Sequence, residues 1–490
     1  TPPFEAFLMS RLELCDVNRY FDELKIRGKS KAIIGNEKAR VFISLMYPLR
    51  RQSLIIGGEA GSAKSCLLKG MATMVWGEGV LDDEVPEVIV VSAMSGKGFL
   101  TADMEQRVNN EAMYCIAPEL QNWVRGGNDN TEDLVKAWGE GEPYIYSRND
   151  ITSDSTKRFS FRPLPIATSL ANENARLKEL GEELERRLLN VWTESNVKLN
   201  EKVKERKAAC VALPDEVIYK GGLAKAKEIQ EAYKDMICKN YGHTGEDTLL
   251  TPAIKNPGAL YMARAIPSKF TISNTLVDAW HELTFGVTQF YAHDRLMLGD
   301  KPFNKRLLGT PADNYMAWVI GGDIFVFASL RVKDIGKVLL DLVPLRTFEG
   351  DGFRMGAGRE ESVTLDQIVD RLQLKGIERS KSQVKDIVNK MVMSTYIKTD
   401  GRDNYWKSRD YSGEFTHALN WAELTDACAK IVKEHYPEGA KDYIRRFCED
   451  PECRHPLTGE KIKLLDLTPE SAADLKKRDS GKATLDLGAL

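Results

Sequence analysis

Residues 51–76 read RQSLIIGGEAGSAKSCLLKGMATMVW. An apolar run at Leu54, Ile55 and Ile56 leads into a glycine-rich loop, and an apolar-periodic segment follows, the order in which a buried strand, a phosphate-binding loop and a helix occur. The loop keeps the spacing of G-x-x-x-x-G-K-[ST], with Ala63 in place of the last glycine. In such a loop the backbone N–H groups wrap phosphates, the lysine meets the β- and γ-oxygens and the hydroxyl holds Mg²⁺. Gly58, Glu59, Ala60, Gly61, Ser62, Ala63, Lys64, Ser65 and Cys66 are therefore the expected nucleotide-binding residues. Lys64 would bind phosphate and Ser65 the metal, with ATP and Mg²⁺ as the expected ligands.

Working outward, EVIVVSA at 87–93, AMYCIAPEL at 112–120 and LPIATSLANEN at 164–174 read as further strands of one α/β sheet. Ligands of open α/β sheets collect at the carboxyl ends of the strands. Glu119 stands at one such end, where a carboxylate can orient an attacking water. Pro118, which has no side-chain ligand to offer a metal, precedes it. Asn172 stands at another strand end, with Asn174 as its rival. Between these strands, Tyr144, Tyr146, Phe159 and Phe161 alternate with other residues around a polar tip, predicting a β-hairpin with one aromatic face. The charge-rich stretch from Asn174 to about Ala209 reads as helical and carries Arg186 and Arg187, just before a strand-like apolar run.

The remaining chain divides by composition. A largely helical region runs from about Lys269 to Pro344, and EGDGFRMGAGREE at 349–361 reads as a linker. Two amphipathic segments and a short hairpin with Asp400 and Gly401 in its turn then suggest a winged helix. Residues 363–411 hold ten basic and seven acidic side chains, which permits contact with a nucleic-acid backbone without demanding it. The boundaries are a helical lead-in at 1–50, an α/β nucleotide-binding core with a hairpin insertion at 51–268, a helical lid at 269–348, a linker at 349–362, a winged helix at 363–412 and a helical tail at 413–490.

The whole chain of 490 residues has 42% hydrophobic residues, enough for more than one core. A net charge of −3 excludes a generic polycation, so any contact with nucleic acid must be a local patch. Eight scattered cysteines fit a reducing compartment. The longest apolar run, Trp318 to Leu330, is short for a membrane span and is broken by Gly321, Gly322 and Asp323. A soluble cytoplasmic protein is expected, nucleoid-associated if prokaryotic. It starts at Thr1 without a signal segment, as a processed or trimmed chain would.

GEAGSAKSCLLK from Gly58 to Lys69 resembles the phosphate loop of AAA+ ATPases of the MCM replicative-helicase type, commonly written GDPG-[ST]-A-KSQLL. Alanine before the lysine is usual in that family. KAIIGNEKARVFISLMYPL resembles the family's lead-in helix, and the likeness extends over about Val17 to Leu345. It implies an AAA+ core with a helical lid and a following winged helix, assembled into a ring of six copies that unwinds or translocates DNA during replication with replication partners. By position it makes Glu119 the catalytic base, Asn172 the first sensor, Arg187 the finger reaching a neighbouring subunit's site and Arg306 a second sensor on the lid. The hairpin at 143–163 resembles the one that projects into the ring's channel, so Arg148, Lys157 and Arg158 would face DNA. Pro118 and the missing amino-terminal zinc domain depart from the family.

Two other functions fit the same parts, an origin-recognition or loader-type DNA-binding switch and a protein-remodelling ATPase. In CEDPECRHP, Cys448, Cys453 and His455 have loose zinc spacing, with Cys428 or His435 as a fourth ligand, although the preferred reading is no metal. Cys66 and Cys115 read as core packing.

Overall fold

The computed structural model describes residues 12–31, 33–58, 62–91, 96–120, 129–149, 156–170, 187–193, 197–214, 227–233, 253–259, 273–298, 306–330, 339, 342–343, 362–374, 377–393, 397–407, 421–446 and 454–464. The chain forms two compact units. One comprises Phe4–Ser195 and Leu199–Pro252, the other Thr1–Pro3, Asn196–Lys198 and Ala253–Leu490.

The first unit opens with helices α1 (Leu14–Asp22) and α2 (Glu37–Met46). Its sheet is made of β1 (Leu54–Gly58), β2 (Val88–Val90), β3 (Tyr114–Ala117), β6 (Ile166–Ser169) and β7 (Leu189–Thr193) in the order β2-β3-β6-β1-β7. Every pairing is parallel. A parallel sheet covered on both faces needs near-continuous apolar strands, and LIIGG and YCIA are buried at every position. The four expected strands are present. The fifth, LNVWT, is the strand-like apolar run after Arg187, within the charge-rich stretch read as helical, and α6 (Val197–Ala212) follows it. β-branched and aromatic residues and buried pairing with β1 override the charge around them.

Helix α3 (Lys64–Trp76) follows β1, and α4 (Ala102–Asn110) and α5 (Asp129–Glu140) follow β2 and β3. Tyr47, just past α2, is fully buried, and its hydroxyl meets the carbonyls of Cys115 at 2.7 Å and Pro165 at 3.2 Å. Arg40 is also fully buried, donating to Asn18 O at 3.3 Å and Asp22 Oδ1 at 2.8 Å. The lead-in helices are thus part of the sheet unit's core.

The aromatic hairpin is β4 (Tyr144–Asn149) with β5 (Thr156–Phe161), and its register places Tyr144 opposite Phe161 and Tyr146 opposite Phe159. Directly opposed residues share a face, so one aromatic face packs on the sheet unit as the alternation requires.

The second unit holds α7 (Ser273–Phe290) and α8 (Pro311–Leu330), packed side by side. Between them in sequence lie two short strands that the helical reading of 269–348 missed, and they pair with a third that precedes α7. β8 (Ala253–Lys255), β9 (Met297–Leu298) and β10 (Arg306–Leu308) form a three-stranded sheet in the order β8-β10-β9. Then come β11 (Val363–Thr364), α9 (Leu365–Leu374), α10 (Lys381–Met393), β12 (Ile397–Thr399) and β13 (Asn404–Lys407). The strands pair antiparallel in the order β11-β13-β12, adding one strand to the two helices and hairpin expected. α11 (Trp421–His435) and α12 (Ala440–Ile444) follow. The segment read as a linker, 349–361, lies outside the described residues. Among the described residues, no helix is long and apolar enough to cross a membrane.

Candidate functional site

Parallel pairing brings the carboxyl ends of β1, β3, β6 and β7 to one edge of the sheet. β1 ends there at Gly58, whose φ of 149° leaves the range that side chains tolerate. Residues 59–61 are outside the described set, so Glu59, Ala60 and Gly61 are not placed; the loop is described again from Ser62. Ala63 takes a left-handed backbone, φ 64° and ψ 15°, at the amino cap of α3. Glycine would accept that conformation without strain, whereas the Cβ of alanine costs roughly 1–2 kcal/mol there. Alanine is the smallest side chain that can bear the cost.

Lys64 is only 9% exposed, and its Nζ donates to Gly58 O at 2.9 Å, so the loop's lysine folds back on its first carbonyl. Ser65 and Cys66 occupy the first turn of α3 and are half-buried. An ammonium, a helix amino terminus and a hydroxyl together form a donor set that suits an oxyanion. That set fits the phosphates of a nucleotide, and Ser65 offers one hydroxyl oxygen to a divalent cation.

No protein-family model and no curated protein matches the chain.

Glu119 is exposed two residues past the end of β3. β6 separates β3 from β1, so Glu119 and the loop stand about two strand spacings apart, roughly 10 Å. That leaves room for a phosphate and a water between them. The strand ends are laced together: Leu170 N donates to Ile56 O at 3.0 Å, Leu120 N donates to Ser169 O at 3.1 Å, and Ser169 Oγ donates to Pro118 O. Pro118 is buried, and its carbonyl fixes the turn that presents Glu119. Asn172, and its rival Asn174, lie outside the described residues.

Arg187 is in the turn before β7, at the amino end of that strand, and its Nε donates to Glu140 Oε1 at the end of α5. Six residues separate it from the loop end of the strand, roughly 20 Å at the rise of a parallel strand. It therefore cannot reach a phosphate held by its own Lys64. Arg306 is exposed on β10, not on a lid helix, because the run Arg306–Leu308 is zipped between β8 and β9.

The hairpin carries Lys157 opposite Arg148 and Arg158 opposite Ser147. Lys157 and Arg158 are exposed and belong to opposite faces of the ribbon. On Arg158's face, Ile145 is 52% exposed. The hairpin is fastened at its base by α4, where Glu105 Oε1 accepts from Ser160 N at 2.6 Å and Asn109 Nδ2 donates to Ser160 O at 2.7 Å. The spacing of Glu105 and Asn109 by one helical turn was the signal available in the sequence for this clamp.

Cys115 is buried in β3, and burial pushes its thiol well above the ordinary range, so it is packing and not a nucleophile. For the zinc reading, Cys448 and Cys453 fall outside the described residues. His455 is buried with Nδ1 accepting from Leu457 N at 3.4 Å and Thr458 N at 3.2 Å, which leaves Nε2 as the nitrogen for any ligand role. Cys428 packs with Leu298, Leu308 and Val432, and His435 is exposed. Among the described residues no group of three or more His, Cys, Asp or Glu is arranged to hold a metal.

Proposed function

We propose that the chain is an ATP hydrolase of the MCM-like AAA+ type, forming a ring and acting as a DNA helicase or translocase in replication. The observation that carries this reading is the loop at 58–65, which joins an internal strand to a buried helix and holds Lys64 inside the fold. In it, Lys64 and the first N–H groups of α3 bind and orient phosphate oxygens, and Ser65 holds Mg²⁺. When bound, the metal offsets phosphate charge so that the terminal phosphoryl group can leave. Glu119 orients the attacking water across the gap left by β6. Arg187, at the opposite edge of its own sheet, serves a neighbour's site, where it stabilises the charge of the transition state. The hairpin, standing out from the core with Lys157 and Arg158 near its tip, contacts the DNA backbone, and residues 363–412 act as a winged helix. The lid role of Arg306 has no support from its place on β10.

A second reading, the origin-recognition or loader-type switch, is favoured by Pro118. A buried proline offers its carbonyl to Ser169 and nothing to a metal, which suits slow turnover.

ATP turnover measured with and without single-stranded DNA separates these readings. DNA-stimulated turnover that is lost in both Lys64→Ala and Glu119→Gln supports the motor. Nucleotide binding with negligible turnover supports the switch, and turnover unchanged in both variants overturns the site.

A further inference from the structure

Strand β7 ends at Thr193, whose hydroxyl lies within the hydrogen bonds of the loop itself. Thr193 Oγ1 donates to Gly57 O at 3.0 Å. A threonine hydroxyl has one proton, so at its 2.7 Å contact with Ser62 Oγ the serine is the donor. Thr193 and Ser62 are 2% and 4% exposed. The end of β1 and the closing side of the loop therefore meet on one oxygen supplied by the neighbouring strand. The space is full: a Cβ on Gly58 would stand 2.2 Å from Thr193 Oγ1 and 2.6 Å from Ser62 Oγ.

We propose that Thr193 is a positioning residue of the phosphate loop, setting the loop's width before any anion arrives. The proposal rests on the reading of residues 58–65 as a phosphate cradle. With its proton given to Thr193, Ser62 becomes scaffold and not a phosphate donor, and recognition falls to backbone N–H groups and Lys64. A preorganised loop binds without the cost of being ordered on arrival. Removing the hydroxyl takes the shared partner from Gly57 O and Ser62 Oγ, a loss that weakens nucleotide affinity about tenfold.

Calorimetric titration of the full chain with a non-hydrolysable ATP analogue and Mg²⁺ tests this. Thr193→Val is expected to bind about tenfold more weakly, whereas Thr193→Ser, which restores the hydroxyl, stays within about threefold of the natural chain. Val191→Ala, on the same buried face of β7, serves as a control that lowers thermal stability and leaves affinity in place. Should Thr193→Val fail to fold, Ser62→Ala removes the same bond from the loop side and is expected to weaken binding likewise. Equal binding by the natural chain and the folded hydroxyl-deleted variant overturns the positioning role alone, as does a Thr193→Ser affinity as low as that of Thr193→Val. If the natural chain and Lys64→Ala both fail to bind, the cradle reading falls and this proposal with it.

Discussion

Arg295 in the second unit and Lys64 in the first are both buried cations, and they are held differently. In the second unit Arg295 is 7% exposed and forks onto Asp313, with Nε at 3.1 and 2.9 Å and a terminal nitrogen at 2.5 Å from the carboxylate oxygens. Asp313 also accepts from Thr288 Oγ1 at 3.1 Å and Thr310 N at 2.9 Å, and Tyr291 lies under the guanidinium at 5.2 Å. In the first unit Lys64 donates to a neutral carbonyl, Gly58 O. A charge-assisted fork onto a carboxylate is the stronger of the two arrangements and fixes the guanidinium in one geometry. Under the proposed function, Arg295 belongs to the scaffold and Lys64 to the phosphate-binding loop.

The comparison is broken or sharpened by substitution. Asp313→Ala strands a buried guanidinium and is expected to cost about 3–5 kcal/mol of stability, read by urea denaturation. An unfolding midpoint that does not move would show that the fork is not structural. Glu119→Gln is expected to keep nucleotide binding and lower turnover by at least about a hundredfold, read in single-turnover assays. Equal loss of binding would mean that Glu119 supports the loop and not the water. Ala63→Gly relieves the left-handed strain, less the added freedom of the unfolded chain, for a net gain of about 0.5–1 kcal/mol. A drop in thermal stability would contradict the strain.

The smallest effect concerns Glu23, whose carboxyl is held above its usual range by burial, partly offset by Arg206. A carboxyl raised in the folded state is destabilising when ionised. Stability therefore improves as pH falls through the folded value toward the unfolded one. Glu23→Gln should accordingly raise the melting temperature slightly at neutral pH and lose that advantage by about pH 4. A gain that persists at acid pH would assign the effect to packing.

What was legible in the sequence follows from the range of the interactions. β1 and α3 could be read because an apolar run, a glycine pair and an apolar-periodic helix are all local patterns. The hairpin could be read because a period of two over Tyr144, Tyr146, Phe159 and Phe161 is local as well. β8, β9 and β10 have two or three residues each, too short to carry a period, and so Arg306 was assigned to a helix. β7 showed in the sequence only as a strand-like apolar run after Arg187, and its place beside β1 came from the parallel register rather than from any local pattern. Thr193 had no local signal, because its partner Ser62 is 131 positions away and only the parallel register of β1 with β7 brings the two together.

The register of the hairpin also sets a length. From Phe159, the outermost buried ring, the paired ribbon runs three residues further to Thr156, about 10 Å at the rise of an antiparallel strand. A slip of one residue would turn both phenylalanines out to solvent, so the ribbon can neither lengthen nor shorten without dismantling its base. With Glu105 and Asn109 gripping Ser160, Lys157 is carried at a fixed height on a stiff arm. In the proposed motor its stroke would equal whatever travel α4 and the sheet beneath it undergo, neither amplified nor damped.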